Sequence, residues 1–109
     1  MLNINMEFRK GILFVRLRGN LDKYTLKYFK KEVSNLIIEN GLRYIVLNLK
    51  ELKYIDSSGI KQLIKDCNHI SKSNGQVLVC EKYNNYTKKL KYYDSTISNE
   101  LKAFQLINL

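Results

Sequence analysis

The chain contains no proline, one histidine and only two cysteines. Without proline, no helix or strand pattern is interrupted by a missing N–H or by a ring clashing with the preceding turn. Cys67 and Cys80 form neither a CxxC pair nor a Cys/His metal spacing, which excludes the usual zinc arrangements. Both fall within apolar patterns, one in a predicted helix and one at the end of a predicted strand, and read as reduced core thiols. His69 reads as a residue of a solvated helix face rather than a catalytic one. No apolar run approaches the roughly 20 residues of a membrane span, so no membrane segment is expected. Met1–Asn5 lacks the basic segment and apolar block of a signal peptide, which makes the cytoplasm the expected location. No Ser/His/Asp arrangement, paired carboxylates in a pocket pattern or metal cluster is visible. The chain is therefore expected not to be an enzyme and to need no metal or other cofactor.

What is present suits one domain, residues 1–109, with 45% hydrophobic residues to fill a single core. The net charge of +9 raises the question of nucleic acid. The lysines are mostly scattered, however, with short clusters only at Lys30-Lys31 and Lys88-Lys89-Leu90-Lys91. Solvated surface lysines, and no direct nucleic-acid partner, are the favoured reading. The alternative is a basic nucleic-acid-binding domain, and its one candidate surface is Tyr83, Tyr86, Tyr92 and Tyr93 near Lys82, Lys88, Lys89 and Lys91.

Along the chain, Leu2, Ile4, Met6 and Phe8 alternate with polar residues, as a half-buried strand requires. After the turn Arg9-Lys10-Gly11, the alternation of Leu13, Val15 and Leu17 predicts a hairpin partner. Asp22 is a candidate N-cap, with Leu21 and Leu26 spaced as a hydrophobic staple. Leu26, Phe29, Val33, Leu36 and Ile37 then form a helical stripe that Asn40-Gly41 ends. Tyr44–Leu49 is apolar almost throughout, like a central parallel strand. Ile60, Leu63, Ile64, Cys67 and Ile70 mark a second helix to about Ser73, ended by Asn74-Gly75, and Gln76–Cys80 is a further strand. In the tail, 88–93 is expected as an edge strand, with a helix over 85–93 as the alternative. Asp94-Ser95 is expected to cap a final helix carrying Ile97, Leu101, Phe104 and Ile107. The predicted class is α/β: a mixed, mostly parallel sheet with helices packed on it, a β-β-α-β-α-β core and a short β-α tail.

The segment Tyr54-Ile55-Asp56-Ser57-Ser58-Gly59 stands where a buried strand gives way to a helix N-terminus. Unpaired backbone N–H groups and the positive end of the helix dipole favour an oxyanion at such a place. Asp and Ser are also ordinary N-cap residues, so the motif alone does not separate a cap from a site. Topology adds weight. Gly19–Asp22 and Asp56–Gly59 each follow a strand of what should be a parallel pair, at the C-terminal sheet edge where α/β folds bind ligands. Asp22, Asp56, Ser57, Ser58 and Gly59 are thus the candidate partner-binding residues.

The combination Leu17–Asp22, Arg43–Leu49, Tyr54–Gly59 and Gly75–Cys80 resembles the STAS domain. More closely it is similar to the bacterial anti-sigma factor antagonists, those of sporulation among them. The likeness runs over about the first three quarters of the chain. It implies a protein that, unphosphorylated, binds an anti-sigma factor that is also a serine kinase, and so frees a sigma factor. It further implies phosphorylation by that kinase on the first serine of D-S-S-G, here Ser57, and restoration by a PP2C-type phosphatase. Asp22, Asp56 and Ser58 would flank the phosphate. The tail departs from the family pattern, since only Glu81–Thr87 separates the last strand from the next expected element. A STAS scaffold or sensor module in a larger stress complex is the further alternative within the same family.

Overall fold

A computed structural model describes residues 1–81, 88, 90 and 96–107. Among the described residues five strands form one sheet in the order β1-β2-β3-β4-β5. β1 (Leu2–Arg9) and β2 (Ile12–Leu21) make the antiparallel hairpin expected from the alternation. Their link is two residues long, with Lys10 at φ 51° and Gly11 at φ 84°. Two successive positive φ values turn the chain in the sense that matches strand twist. β3 (Tyr44–Ile55) and β4 (Gln76–Cys80) continue the sheet in parallel.

The first helix, α1 (residues 26–40), begins a turn later than Asp22, since residues 22–25 form a turn of their own. It runs as an α-segment Leu26–Phe29, a π-turn Lys30–Ser34 and an α-segment Asn35–Asn40. The wider turn lets Val33 and Ser34 face inward together; both are buried. Gly41, left-handed at φ 57°, ends α1 as the sequence suggested. α2 (Ser57–Lys72) buries Leu63, Cys67 and Ile70. Each such side chain is worth about 1.5–3 kcal/mol when fully removed from water.

α1 and α2 cover one face of the sheet. There Leu13, Val15 and Leu17 of β2 meet Ile45 and Leu47 of β3, with Phe29, Val33 and Ile37 above them. The other face is also sealed in its lower half, which the simple alternation of β2 did not foresee. Ile12, Phe14, Val46, Leu78, Cys80 and Ile97 lie under Ala103 and Ile107 of the tail. The Phe14 and Phe104 rings are 5.6 Å apart between centroids.

Further expectations are corrected. β3 does not stop at Leu49 but continues to Ile55. Its register against β2 shifts between Arg16 and Arg18, and again between Gly19 and Asn20, so β3 carries extra residues there. Bulges of this kind break the two-residue period, and Leu49, Leu52 and Ile55 all face the core. The expected 88–93 edge strand lies mainly outside the described residues, but Lys88 and Leu90 are helical, as the alternative held. The described edge strand is instead β5 (Thr96–Ile97), parallel to β4, so Ile97 is a strand residue. A 3-10 turn Glu100–Lys102, capped by the Asn99 side chain, leads into a short α3 (Ala103–Leu106). The expected cap Asp94-Ser95 lies outside the described residues.

The tail is fastened by charge as well as by apolar contact. Arg16 donates from Nε to Glu100 Oε2 at 2.9 Å and from Nη2 to Glu100 Oε1 at 2.7 Å. The same guanidinium reaches Asn5 at 2.8 Å and Glu7 at 2.9 Å. Asn48 Nδ2 adds a 2.7 Å bond to Glu100 Oε2. The hydrogen bond from Arg16 holds the Glu100 carboxyl below the usual carboxylate range, against the opposing effect of burial.

Candidate functional site at the sheet edge

The parallel pairing of β2 and β3 brings Leu21 level with Ile55, so the two following segments leave the sheet side by side. Asp56 joins them. One carboxylate oxygen, Oδ1, accepts from the Gly59 N–H at 2.9 Å and caps α2. The other, Oδ2, accepts from the Lys23 N–H at 2.9 Å. The Asp56 N–H in turn donates to the Leu21 carbonyl at 3.2 Å. The Gly59 amide, foremost, holds the Asp56 carboxyl below its ordinary value, with the Lys23 and Ser58 amides acting in the same direction.

Asp22 orders the neighbouring loop. Its Oδ1 accepts from the N–H groups of Tyr24 at 2.9 Å and Thr25 at 3.1 Å, an Asx turn leading into α1. Thr25, which sequence reasoning passed over, closes the same loop: its hydroxyl donates to the Asn20 carbonyl at 2.9 Å and accepts from the Asp22 N–H at 3.0 Å.

Ser57 and Ser58 are the first two residues of α2 and not a loop before it. Ser57 is exposed, Asp22, Asp56 and Ser58 are half-buried, and Gly59 is buried. A Cβ on Gly59 would lie 2.6 Å from the Leu21 carbonyl oxygen and 2.9 Å from Leu21 Cγ. Gly59 therefore belongs to the seat of the helix against β2. Tyr24 (82% exposed) and Tyr54 (54% exposed) belong to the two segments that meet here. An exposed ring beside a polar motif is a frequent interface feature.

A second polar cluster lies between the helices. Ser34 Oγ donates to Asp66 Oδ2 at 2.7 Å. Gln62 Nε2 reaches Asp66 Oδ1 at 2.9 Å and Ser34 Oγ at 3.1 Å. Burial raises the Asp66 carboxyl above its ordinary value of 3.8, and the bonds from Ser34 and Gln62 only partly offset this. In the native state Asp66 thus keeps its proton where the unfolded chain loses it. The stability it contributes is full below 3.8 and is lost as pH rises through its raised native value. Asp56 and Glu100 have the opposite sign: their contribution is present above their ordinary values and is lost as pH falls through the lowered ones. Asp66→Asn should therefore melt higher than wild type at neutral pH and converge with it in acid. A lower melting temperature at neutral pH would mean that the ionised carboxylate is well satisfied where it stands.

The cysteines are buried, and burial pushes the Cys67 thiol up to about 12 and raises Cys80 as well. Among the described residues no group of three His, Cys, Asp or Glu side chains is placed to hold a metal, and no helix is long and apolar enough to cross a membrane. Apart from Lys88, the Tyr/Lys cluster that would serve nucleic acid lies outside the described residues.

These features define a small α/β domain with an exposed serine at the head of a helix, at a sheet edge whose two adjoining loops are ordered by Asp22 and Asp56. The chain belongs to the STAS domain family, whose profile matches residues 3–91. An anti-sigma F factor antagonist from Paenibacillus polymyxa is 35% identical over 80 residues, which is 73% of this chain and 68% of that protein. An anti-sigma factor antagonist from Mycobacterium paratuberculosis superposes with a TM-score of 0.80 at 14% identity, covering 98% of this chain and 94% of the other. The Bacillus cell fate determinant SpoIIAA in its phosphorylated form gives 0.78 at 17% identity, covering 97% of this chain and all of the other. At these identities the two structures speak for the fold alone.

Proposed function

We propose that this chain is a cytoplasmic anti-sigma factor antagonist: it binds an anti-sigma factor serine kinase, releases a sigma factor, and is switched off by phosphorylation of Ser57. A PP2C-type phosphatase restores it. The curated relative supports the role. The observation that carries the switch is the exposed Ser57 hydroxyl at the first position of α2, beside a carboxylate that already holds the helix amides.

That last feature sets the direction of the effect. A helix N-terminus ordinarily welcomes phosphate. Here Asp56 takes the Gly59 and Lys23 amides, so a phosphate on Ser57 meets a carboxylate first and carries its charge outward. At neutral pH it adds about −1.5 to −2 charges. The fold tolerates this because Ser57 is exposed, whereas a partner seated over Ser57 must desolvate it. The chain supplies the hydroxyl, and the kinase supplies base, ATP and metal.

The test is calorimetric titration of the cognate anti-sigma factor, with sigma release read in parallel. Binding by the unphosphorylated chain and displacement of sigma are expected; no binding in the presence of nucleotide would refute the role. Asp22 gives a finer test. Asn forms the same Asx turn as Asp, so Asp22→Asn should keep its melting temperature while partner affinity falls by about tenfold, or about 1.4 kcal/mol. A lowered melting temperature with unchanged affinity would return Asp22 to a purely structural part.

A further inference from the structure

Ser57 lies at the head of α2, and one turn further on, at Lys61, begins a groove of about 550 Å³ between α1 and α2. Its rim carries Lys30 from the π-turn and Lys61, Lys65 and Lys72 from α2. None of these four makes a salt bridge among the described residues, where the ion pairs involve arginines instead. The one acidic residue lining the groove is Asp66, which is buried and tied to Ser34 and Gln62. Ile38, 55% exposed, gives the wall an apolar contact beside this charge. Four ammonium groups with no ion pair among the described residues, set along a concave surface, focus a positive potential, which attracts an acidic partner and speeds its approach.

We propose that this groove is a second contact for the anti-sigma factor and takes an acidic, amphipathic segment of that protein. The inference rests on the Ser57 reading, because continuity with that site selects the occupant. Carboxylates of the segment meet Lys30, Lys61, Lys65 and Lys72, and an apolar side chain covers Ile38. The groove lining holds no Phe, Tyr or Trp ring, and its one aromatic group is the small imidazole of His69, which favours protein over single-stranded nucleic acid. The groove supplies steering and residence, and Ser57 supplies the switch.

The test compares two double charge reversals in the full chain: Lys30→Glu with Lys65→Glu, and as control Lys10→Glu with Lys102→Glu. Lys10 and Lys102 are exposed and lie away from the groove lining. Anti-sigma affinity is measured at low and physiological salt, with melting temperature as the check on folding. The groove pair should lose about tenfold or more in affinity and flatten the salt dependence, while the control pair stays within about twofold of wild type. Equal affinity of both pairs, with Ser57→Asp still weakening binding, overturns the groove and leaves the switch standing. Absence of anti-sigma binding by wild type removes both. Binding of a single-stranded oligonucleotide that the groove pair alone abolishes assigns the surface to nucleic acid and overturns the proposal.

Discussion

Phosphorylation of Ser57 is expected to lower affinity for the anti-sigma factor about a hundredfold while leaving the melting temperature nearly unchanged. The asymmetry follows from where the group sits. Ser57 is exposed in the free protein, so water continues to solvate the phosphate there. In the complex, bulk and unpaired charge must be desolvated beside Asp56, whose oxygens are already bonded to the Gly59 and Lys23 amides. A cost of about 2–3 kcal/mol is enough, at about 1.4 per tenfold, and buried unpaired charge commonly costs that much or more. Ser57→Ala should bind like wild type and remain permanently active. Ser57→Asp should fall between wild type and phosphoprotein, because it carries a single charge. Calorimetry on the four forms gives the order directly. Equal affinity of Ser57→Ala and Ser57→Asp would sink the charge-and-bulk mechanism.

Gly59→Ala should destabilise the fold by roughly 1–3 kcal/mol. Alanine alone gains about 1 kcal/mol in helix propensity, so the sign is a real contest. The added Cβ would stand 2.6 Å from the Leu21 carbonyl oxygen, a backbone atom fixed by strand pairing, and 2.9 Å from the Ile55 and Leu21 side chains. Backbone does not swing aside as a flexible side-chain end does, so the steric term wins. At about 4–8 °C per kcal/mol for a domain near this size, thermal unfolding should show a drop of several degrees. Because the head of α2 must move off β2, the phosphorylation rate at Ser57 should fall too. An unchanged melting temperature would show that α2 shifts freely on the sheet.

The parts of this molecule that follow local periods were legible in its sequence. The hairpin, the stripes of α1 and α2 and the strand Gln76–Cys80 needed only alternation, helical spacing and stop signals. The adjacency of Asp22 and Asp56 followed from placing two loops at one end of parallel neighbours. What escaped has a physical reason in each case. Leu49, Leu52 and Ile55 are three apart, a spacing that reads as helix or loop until two register shifts against β2 are known. The π-turn Lys30–Ser34 ends on Ser34, whose buried bonds to Gln62 and Asp66 reach 28 and 32 residues along the sequence. The Arg16–Glu100 bond spans 84, beyond any window of local pattern. It helps fix the tail over the second sheet face.

The most direct measurement is incubation of the chain with its anti-sigma factor and ATP, followed by fragmentation of the peptide Tyr54–Lys61. That peptide contains both Ser57 and Ser58, so fragment ions between them must be resolved. The account predicts one phosphate, on Ser57, appearing as the complex dissociates. A phosphate on Ser58 with Ser57 bare, or a complex that persists after Ser57 is fully modified, would contradict it.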